Sequence, residues 1–168
     1  GAPTAAPLPA CQLPTQAVAL LRFSRIDGVR CVGAAAVVVA RDAGDPLRLA
    51  GALTAFALGV PSENAAERFS ALEEAIRCCH AAGDVDAIVP TGHLAAGYYE
   101  AGNFAEALAR GRDVAAKARK NRDRSTLASA LINVAAYALA VDNVESAEAA
   151  SRESLALVRD LGKTLNAM

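Results

Sequence analysis

HLAAGYYEAGNFAEAL, residues 93–108, reads as one helix, a break and the start of a second helix. Leu94, Tyr98 and Ala101 fall at spacings of four and three, which places them on one helical face. Gly102-Asn103 ends that helix, as a C-terminal glycine followed by a polar residue does. Phe104, Ala107, Leu108, Val114, Ala115 and Ala118 then form the apolar stripe of the next one. A joint this short forces the two helices to run antiparallel.

The same text recurs along the chain. Ala43-Gly44-Asp45 reappears as Ala82-Gly83-Asp84 at a shift of 39, and Asp84 reappears as Asp123 after another 39. LAGALTAFAL (Leu49 to Leu58) aligns with LASALINVAAYAL (Leu127 to Leu139) at 78, twice that period. AGNFAEA (Ala101 to Ala107) aligns with VDNVESA (Val141 to Ala147) at 40, which implies one inserted residue. Asn64, Asn103 and Asn143 then share a column. At a shift of 39 Asp27 to Ala43 lies against Ala66 to Ala82, so a degenerate unit opens the chain. The expected fold is all-α: an α-solenoid of about four antiparallel helix hairpins, with a period of 39–40 residues. The units run over about 13–44, 45–83, 84–122 and 123–163, in a single domain over 13–168 that follows a flexible segment 1–12. Asp45-Pro46 reads as a cap followed by proline at the first helical position. Val60-Pro61-Ser62 breaks the second unit, with Ser62 capping the helix after it. Pro90 sits in the opening turn of the third unit's first helix, which is expected to begin as late as Pro90 itself.

Composition agrees with helices packed closely on one another. Hydrophobic residues make up 54 % of the 168, but alanine carries much of that total, aromatics reach only 4 % and tryptophan is absent. A sandwich or barrel wants β-branched and aromatic side chains instead. With 17 basic against 18 acidic residues there is no global pull toward nucleic acid or an anionic membrane. The apolar run Val32 to Ala40 is too short to span a bilayer, and the opening GAPTAAPLPA lacks the basic region and apolar core of a signal peptide. A start at Gly1 instead of Met suggests a cleaved tag or an excised fragment of a larger protein. Cys11, Cys31, Cys78 and Cys79 show no disulfide-framework spacing, which points to reduced thiols and a cytoplasmic location.

The third unit resembles a tetratricopeptide repeat: Leu94, Ala95, Tyr98, Gly102-Asn103 and Ala107 occupy the family's leucine, small, aromatic, turn and crossing-alanine places in order. Val134, Ala135, Ala138, Asp142-Asn143 and Ala147 do so in the fourth. Three departures stand out. The period exceeds the family's standard of about 34, Arg68 replaces the crossing alanine of the second unit, and the usual closing proline is missing. Longer, alanine-rich repeats of this kind are similar to those of large bacterial signalling proteins, such as LuxR-type transcription activators and diguanylate cyclases with helical-repeat sensor regions. The resemblance covers roughly residues 45–163. It implies a groove lined by the first helix of each hairpin, with Thr54, His93 and Asn133 in one column and Tyr99, Glu100 and Leu139 one turn on. Polar residues in such a column can hold the main chain of an extended peptide. The implied role is a non-catalytic module for a protein or peptide partner, or for self-association through an uncapped end of the solenoid, with no cofactor.

Other chemistry finds little footing. Cys78, Cys79 and His80 are consecutive on a helix, point about 100° apart and cannot converge on one metal ion; one cysteine is expected to pack and the other to be half exposed. The basic run Arg110, Arg112, Lys117, Arg119, Lys120, Arg122 and Arg124 lacks interleaved aromatics or a groove-reading module, so a solvated face is favoured over nucleic-acid contact. His80 and His93 belong to no nucleophile or metal motif, and no glycine-rich phosphate loop is present, so no enzyme is expected. Two alternatives remain open: small-molecule sensing that controls a transcription-activator or cyclic-dinucleotide output domain, and nucleic-acid contact through residues 110–124.

Overall fold

Alanine-rich amphipathic segments between turn residues produce helices throughout the computed structural model, which describes residues 26–83 and 86–166. The expected flexible segment 1–12 and the first helix of the opening hairpin lie outside the described residues. The elements are α1 (Ile26–Asp42), α2 (Pro46–Leu58), a 3-10 turn (Ser62–Asn64), α3 (Ala65–Ala81), α4 (Ile88–Glu100), α5 (Phe104–Lys120), α6 (Arg124–Ala140) and α7 (Val144–Asn166). No strand occurs among the described residues. The chain divides into two compact units, residues 1–85 and 86–168, and within each the helices pack in chain order.

The joints carry the period in their backbone. Left-handed residues stand at Gly44, Gly83 and Arg122, 39 apart, with φ of 66°, 85° and 57°. A second series, Gly102 and Asp142, is 40 apart at 78° and 56°. The inserted residue therefore falls between Arg122 and Asp142. At Gly102 the amide of Asn103 donates to the Tyr98 carbonyl at 2.8 Å, and that of Gly102 to Tyr99 at 3.0 Å. The same pair recurs at Asp142, from Asn143 to Ala138 and from Asp142 to Leu139. This pair of hydrogen bonds satisfies the last carbonyls of a helix and turns the chain sharply. Three of the following helices start on a side-chain cap: Asp45 Oδ1 accepts from the amides of Leu47 and Arg48, Asp123 from Thr126, and Asn143 from Ser146.

Two local expectations are corrected. Ser62 does not cap α3: Ser62–Asn64 wind as a 3-10 turn, and α3 starts at Ala65 after Asn64, which makes no side-chain cap bond. α4 begins at Ile88, two residues before Pro90. Proline is tolerated there because amides of a helix's first turn have no partner inside the helix.

In residues 1–85, α2 is the central helix, burying Ala50, Ala52, Leu53, Thr54, Ala55 and Ala57. Ala36, Ala40 and Ala52 form one core cluster, and Val29 and Ala55 another. α1 lies on α2 at glycine distance, since a Cβ on Gly33 would come 2.6 Å from Phe56 Cα. Arg68, at the expected helix crossing, donates to the Val60 carbonyl at 3.1 Å and ties α3 to the end of α2. In residues 86–168, α6 is central between α5 and α7 and buries Leu127, Leu131, Val134, Tyr137 and Ala138 among others. The crossing alanines Ala107 and Ala147 are buried. Gly111 takes the part of Gly33, 78 residues earlier: its Cβ would meet Tyr137 at 3.1 Å and Val134 at 3.3 Å. Ion pairs repeat too, with Arg41–Glu74 joining α1 to α3 and Arg119–Glu153 joining α5 to α7, both at 2.7 Å.

Candidate functional site

Four of the six expected groove residues are exposed on α4 and α6. Asn133, Glu100 and Tyr99 are exposed, and Leu139 is 57 % exposed. Tyr99 and Glu100 stand at the end of α4, where the Tyr99 ring packs on Tyr137 of α6 with centroids 5.1 Å apart and on Phe104 at 5.4 Å. Offset and tilted aromatic contacts at this range are favourable beyond their burial. Burial pushes the Tyr137 phenol above its ordinary range, with Glu100 and Tyr99 adding to the effect. This aromatic cluster fixes the ends of α4 and α6 against each other and leaves one face of Tyr99 to solvent.

His93 is half-buried on α4, and burial lowers its imidazole pKa from the ordinary 6.5, so it is neutral at pH 7. Asn133 is its counterpart 40 residues on. Thr54 belongs to the other unit. Its side chain is buried, and its hydroxyl donates to the Ala50 carbonyl of its own helix at 2.8 Å. Sequence reasoning did not single out Tyr137, Phe104 or Gly111 as partners. A glycine inside the helical run ARGRD was the available signal, because it costs about 1 kcal/mol relative to alanine unless a close contact needs it.

The basic run is largely neutralised in place. Arg110 pairs with Glu106, Lys117 with Asp113, Arg119 with Glu153, Lys120 with Asp86 and Arg124 with Asp160, and Arg112 donates to Ser146. Lys117, Arg119 and Lys120 also fill the last turn of α5, where cations offset the helix dipole. Cys79 is buried and Cys78 half-buried, as expected. Burial first, then Glu74, raises the Cys78 thiol, which keeps it protonated at neutral pH. Among the described residues no His, Cys, Asp or Glu cluster is placed to hold a metal ion. No described helix is long and apolar enough to cross a membrane.

One further concavity lies in residues 1–85. Leu53, Phe56 and Ala71 floor an open cleft of about 330 Å³ between α1 and α3. The Arg30–Glu67 and Arg41–Glu74 pairs bridge the two helices at this cleft. At the position matching Ala34 in residues 86–168 stands Arg112, which reaches across to Ser146 at 2.9 Å.

No protein-family model matches the chain, and no curated protein resembles it at a significant level.

Proposed function

We propose that the chain is a tetratricopeptide-like helical-repeat module of a cytoplasmic bacterial regulatory or signalling protein, and that it holds a protein or peptide partner without catalysing a reaction. The observation that carries this reading is the surface of α4 and α6, where Tyr99, anchored on Tyr137, stands with Asn133 and Glu100 on neighbouring first helices. A rigid aromatic platform beside hydrogen-bonding side chains suits an extended peptide: the ring buries a side chain, and the amide serves the main chain. The repeated left-handed joints and the Gly33 and Gly111 contacts support the solenoid reading. Peptides selected from a random display library on the purified chain test it. Binding of the selected peptides should fall by about tenfold in Tyr99→Ala and in Asn133→Ala. Selection that yields no saturable binder, or binders indifferent to both changes, would remove the proposal.

The cleft of residues 1–85 favours a second reading, small-molecule sensing. Ala34→Arg copies the residue that stands at the matching place in the other unit and should fill the cleft. A metabolite that raises the Tm of the wild-type chain but not of Ala34→Arg would establish this reading; a screen without such a compound would count against it.

A further inference from the structure

The cleft between α1 and α3 has a counterpart between α5 and α7, and a few differences between the two decide what the first can hold. The short bridges fix the register: Arg41–Glu74 spans α1 and α3 as Arg119–Glu153 spans α5 and α7, both at 2.7 Å. Residues of α1 and α2 therefore match those of α5 and α6 at a shift of 78, and residues of α3 match those of α7 at 79. In that register Arg30 corresponds to Leu108, Ala34 to Arg112, Phe56 to Val134 and Glu67 to Ser146.

In residues 86–168 the chain spans its own groove. Arg112 reaches from α5 to α7, where its guanidinium donates to Ser146 Oγ at 2.9 Å, and Leu108, one turn earlier, is buried in the core. In residues 1–85 the arginine has moved back by that turn. Arg30 takes the place of Leu108 and donates to Glu67 through one nitrogen, 3.2 and 3.3 Å from the two carboxylate oxygens. Position 34 is left with an alanine that cannot span the groove. The bridging arginines Arg30 and Arg41 then stand about 16 Å apart along α1, where Arg112 and Arg119 stand about 10 Å apart along α5. The opening between the two bridges is the cleft, about 330 Å³ over Leu53, Phe56 and Ala71.

The matching groove thus displays the group that its first-unit counterpart lacks: a guanidinium on an aliphatic stem, directed toward the third helix. Two differences suit the cleft of residues 1–85 to such a group brought from outside. Glu67 offers a carboxylate where Ser146 offers a hydroxyl, and a charge-assisted hydrogen bond is the stronger. Its pair with Arg30 lies among half-exposed side chains, 43 %/41 % accessible, and occupies one donor nitrogen, so carboxylate lone pairs remain for a second. Phe56 brings an aromatic side chain to the lining where the other unit has Val134, and guanidinium groups stack on aromatic faces. Arg30 and Arg41 are each balanced by the acid they bridge to, so the cleft has no excess of positive charge to repel a cation. We propose that this cleft binds a small molecule built from a guanidinium on a short aliphatic chain, the head on Glu67 and Phe56 and the chain on Leu53 and Ala71. The inference rests on the reading of the cleft as a small-molecule site and adds the class of ligand.

The probe is n-butylguanidinium, titrated into the full nitrogen-15-labelled chain and followed by amide chemical shifts. Its neutral isostere n-butylurea and the anion pentanoate serve as comparisons. Butylguanidinium should shift amides of α1, α2 and α3 saturably, and bind about tenfold more tightly than either comparison. Ala34→Arg, which supplies the missing group from the chain itself, should abolish the binding. Glu67→Gln should weaken it by about tenfold. Arg30→Leu, which copies Leu108 and frees Glu67 from its competing donor, should strengthen it by about threefold or more, a gain that mere damage to the fold would not give. Butylurea or pentanoate bound as tightly, and lost in Ala34→Arg, would overturn the ligand class while leaving the cleft a small-molecule site. Butylguanidinium binding that Glu67→Gln leaves unchanged, or that Arg30→Leu weakens, would overturn it too. Silence from all three probes would do the same, and only a metabolite screen without a cleft-dependent compound would remove the reading of the cleft itself.

Discussion

Gly33 lies against the main chain of Phe56, so close that a Cβ on it would stand 2.6 Å from Phe56 Cα. Its counterpart Gly111 faces ring atoms of Tyr137 instead, at 3.1 Å. Main chain cannot yield without moving a whole helix, while a ring can turn by a few degrees. Gly33→Ala should destabilise the chain by roughly 1–3 kcal/mol in urea titration, despite alanine's better helix propensity. Gly111→Ala should cost clearly less, since the propensity gain offsets a small rotation of Tyr137. Equal losses would show that the main-chain and the ring contact yield alike.

Arg122 and Asp142 occupy left-handed positions that glycine fills at Gly44, Gly83 and Gly102. A Cβ in that region is strained by about 1 kcal/mol, less for aspartate. Arg122→Gly should therefore raise stability by about 0.5–1 kcal/mol and Asp142→Gly by a smaller amount, with Gly102→Ala lowering it by about 1 kcal/mol. Thermal unfolding reads all three directly.

The Thr126 side chain and then its backbone amide hydrogen-bond to Asp123 and hold its carboxyl below the ordinary 3.8. A depressed carboxylate contributes stability that is present above its unfolded pKa and is lost as pH falls through the folded one. Asp123→Ala should cost about 1 kcal/mol at neutral pH, as lost caps do. It should also flatten the fall in Tm below pH 4. A variant with the wild-type acid limb would exclude the cap as its source.

His93 titrates in the same sense for a different reason, since here burial disfavours the charged form. Burial lowers its pKa below 6.5, so the unfolded chain binds the extra proton and stability drops as pH falls through the region of 6.5. His93→Gln should make the Tm less dependent on pH between about 7 and 5. An unchanged slope would mean that the imidazole titrates alike in both states.

The bridges Arg41–Glu74 and Arg119–Glu153 are short but lie among half-exposed side chains, 55 %/33 % and 52 %/43 % accessible. Water screens them, so a double-mutant cycle on either pair should give about 1 kcal/mol or less, falling as salt is added. They set helix register more than they hold the fold together.

Most of the helix plan was legible because the joints demand particular chemistry. Gly102-Asn103 ends its helix with a left-handed residue, and Asp45 caps as its place before Pro46 indicated. Arg122 and Asp142 were legible only through the period, since nothing in their own chemistry asks for positive φ. Ser62 misled because a cap needs the helix to begin at once, and a 3-10 turn intervenes. Pro90 misled because the missing amide costs nothing in a first turn. Thr54 shared a column with His93 and Asn133, but a threonine hydroxyl can bond the carbonyl four residues back, and column membership cannot say when it does. The meeting of Tyr137 with Gly111 and Tyr99 required knowing which face of α5 receives α6, which spacing alone leaves undecided.

The chain-order packing of each unit has a consequence for how the protein comes apart. A globular core binds distant segments together, so losing one element exposes all the others. Among the described residues, α1 and α7 each rest on one neighbour within their unit, whereas α2, α5 and α6 each pack on two. Stability is then passed along the chain from neighbour to neighbour. Amide exchange should be graded, slowest in the helices packed on two neighbours and faster in those packed on one, so that cooperativity becomes a local property of each stretch of the chain.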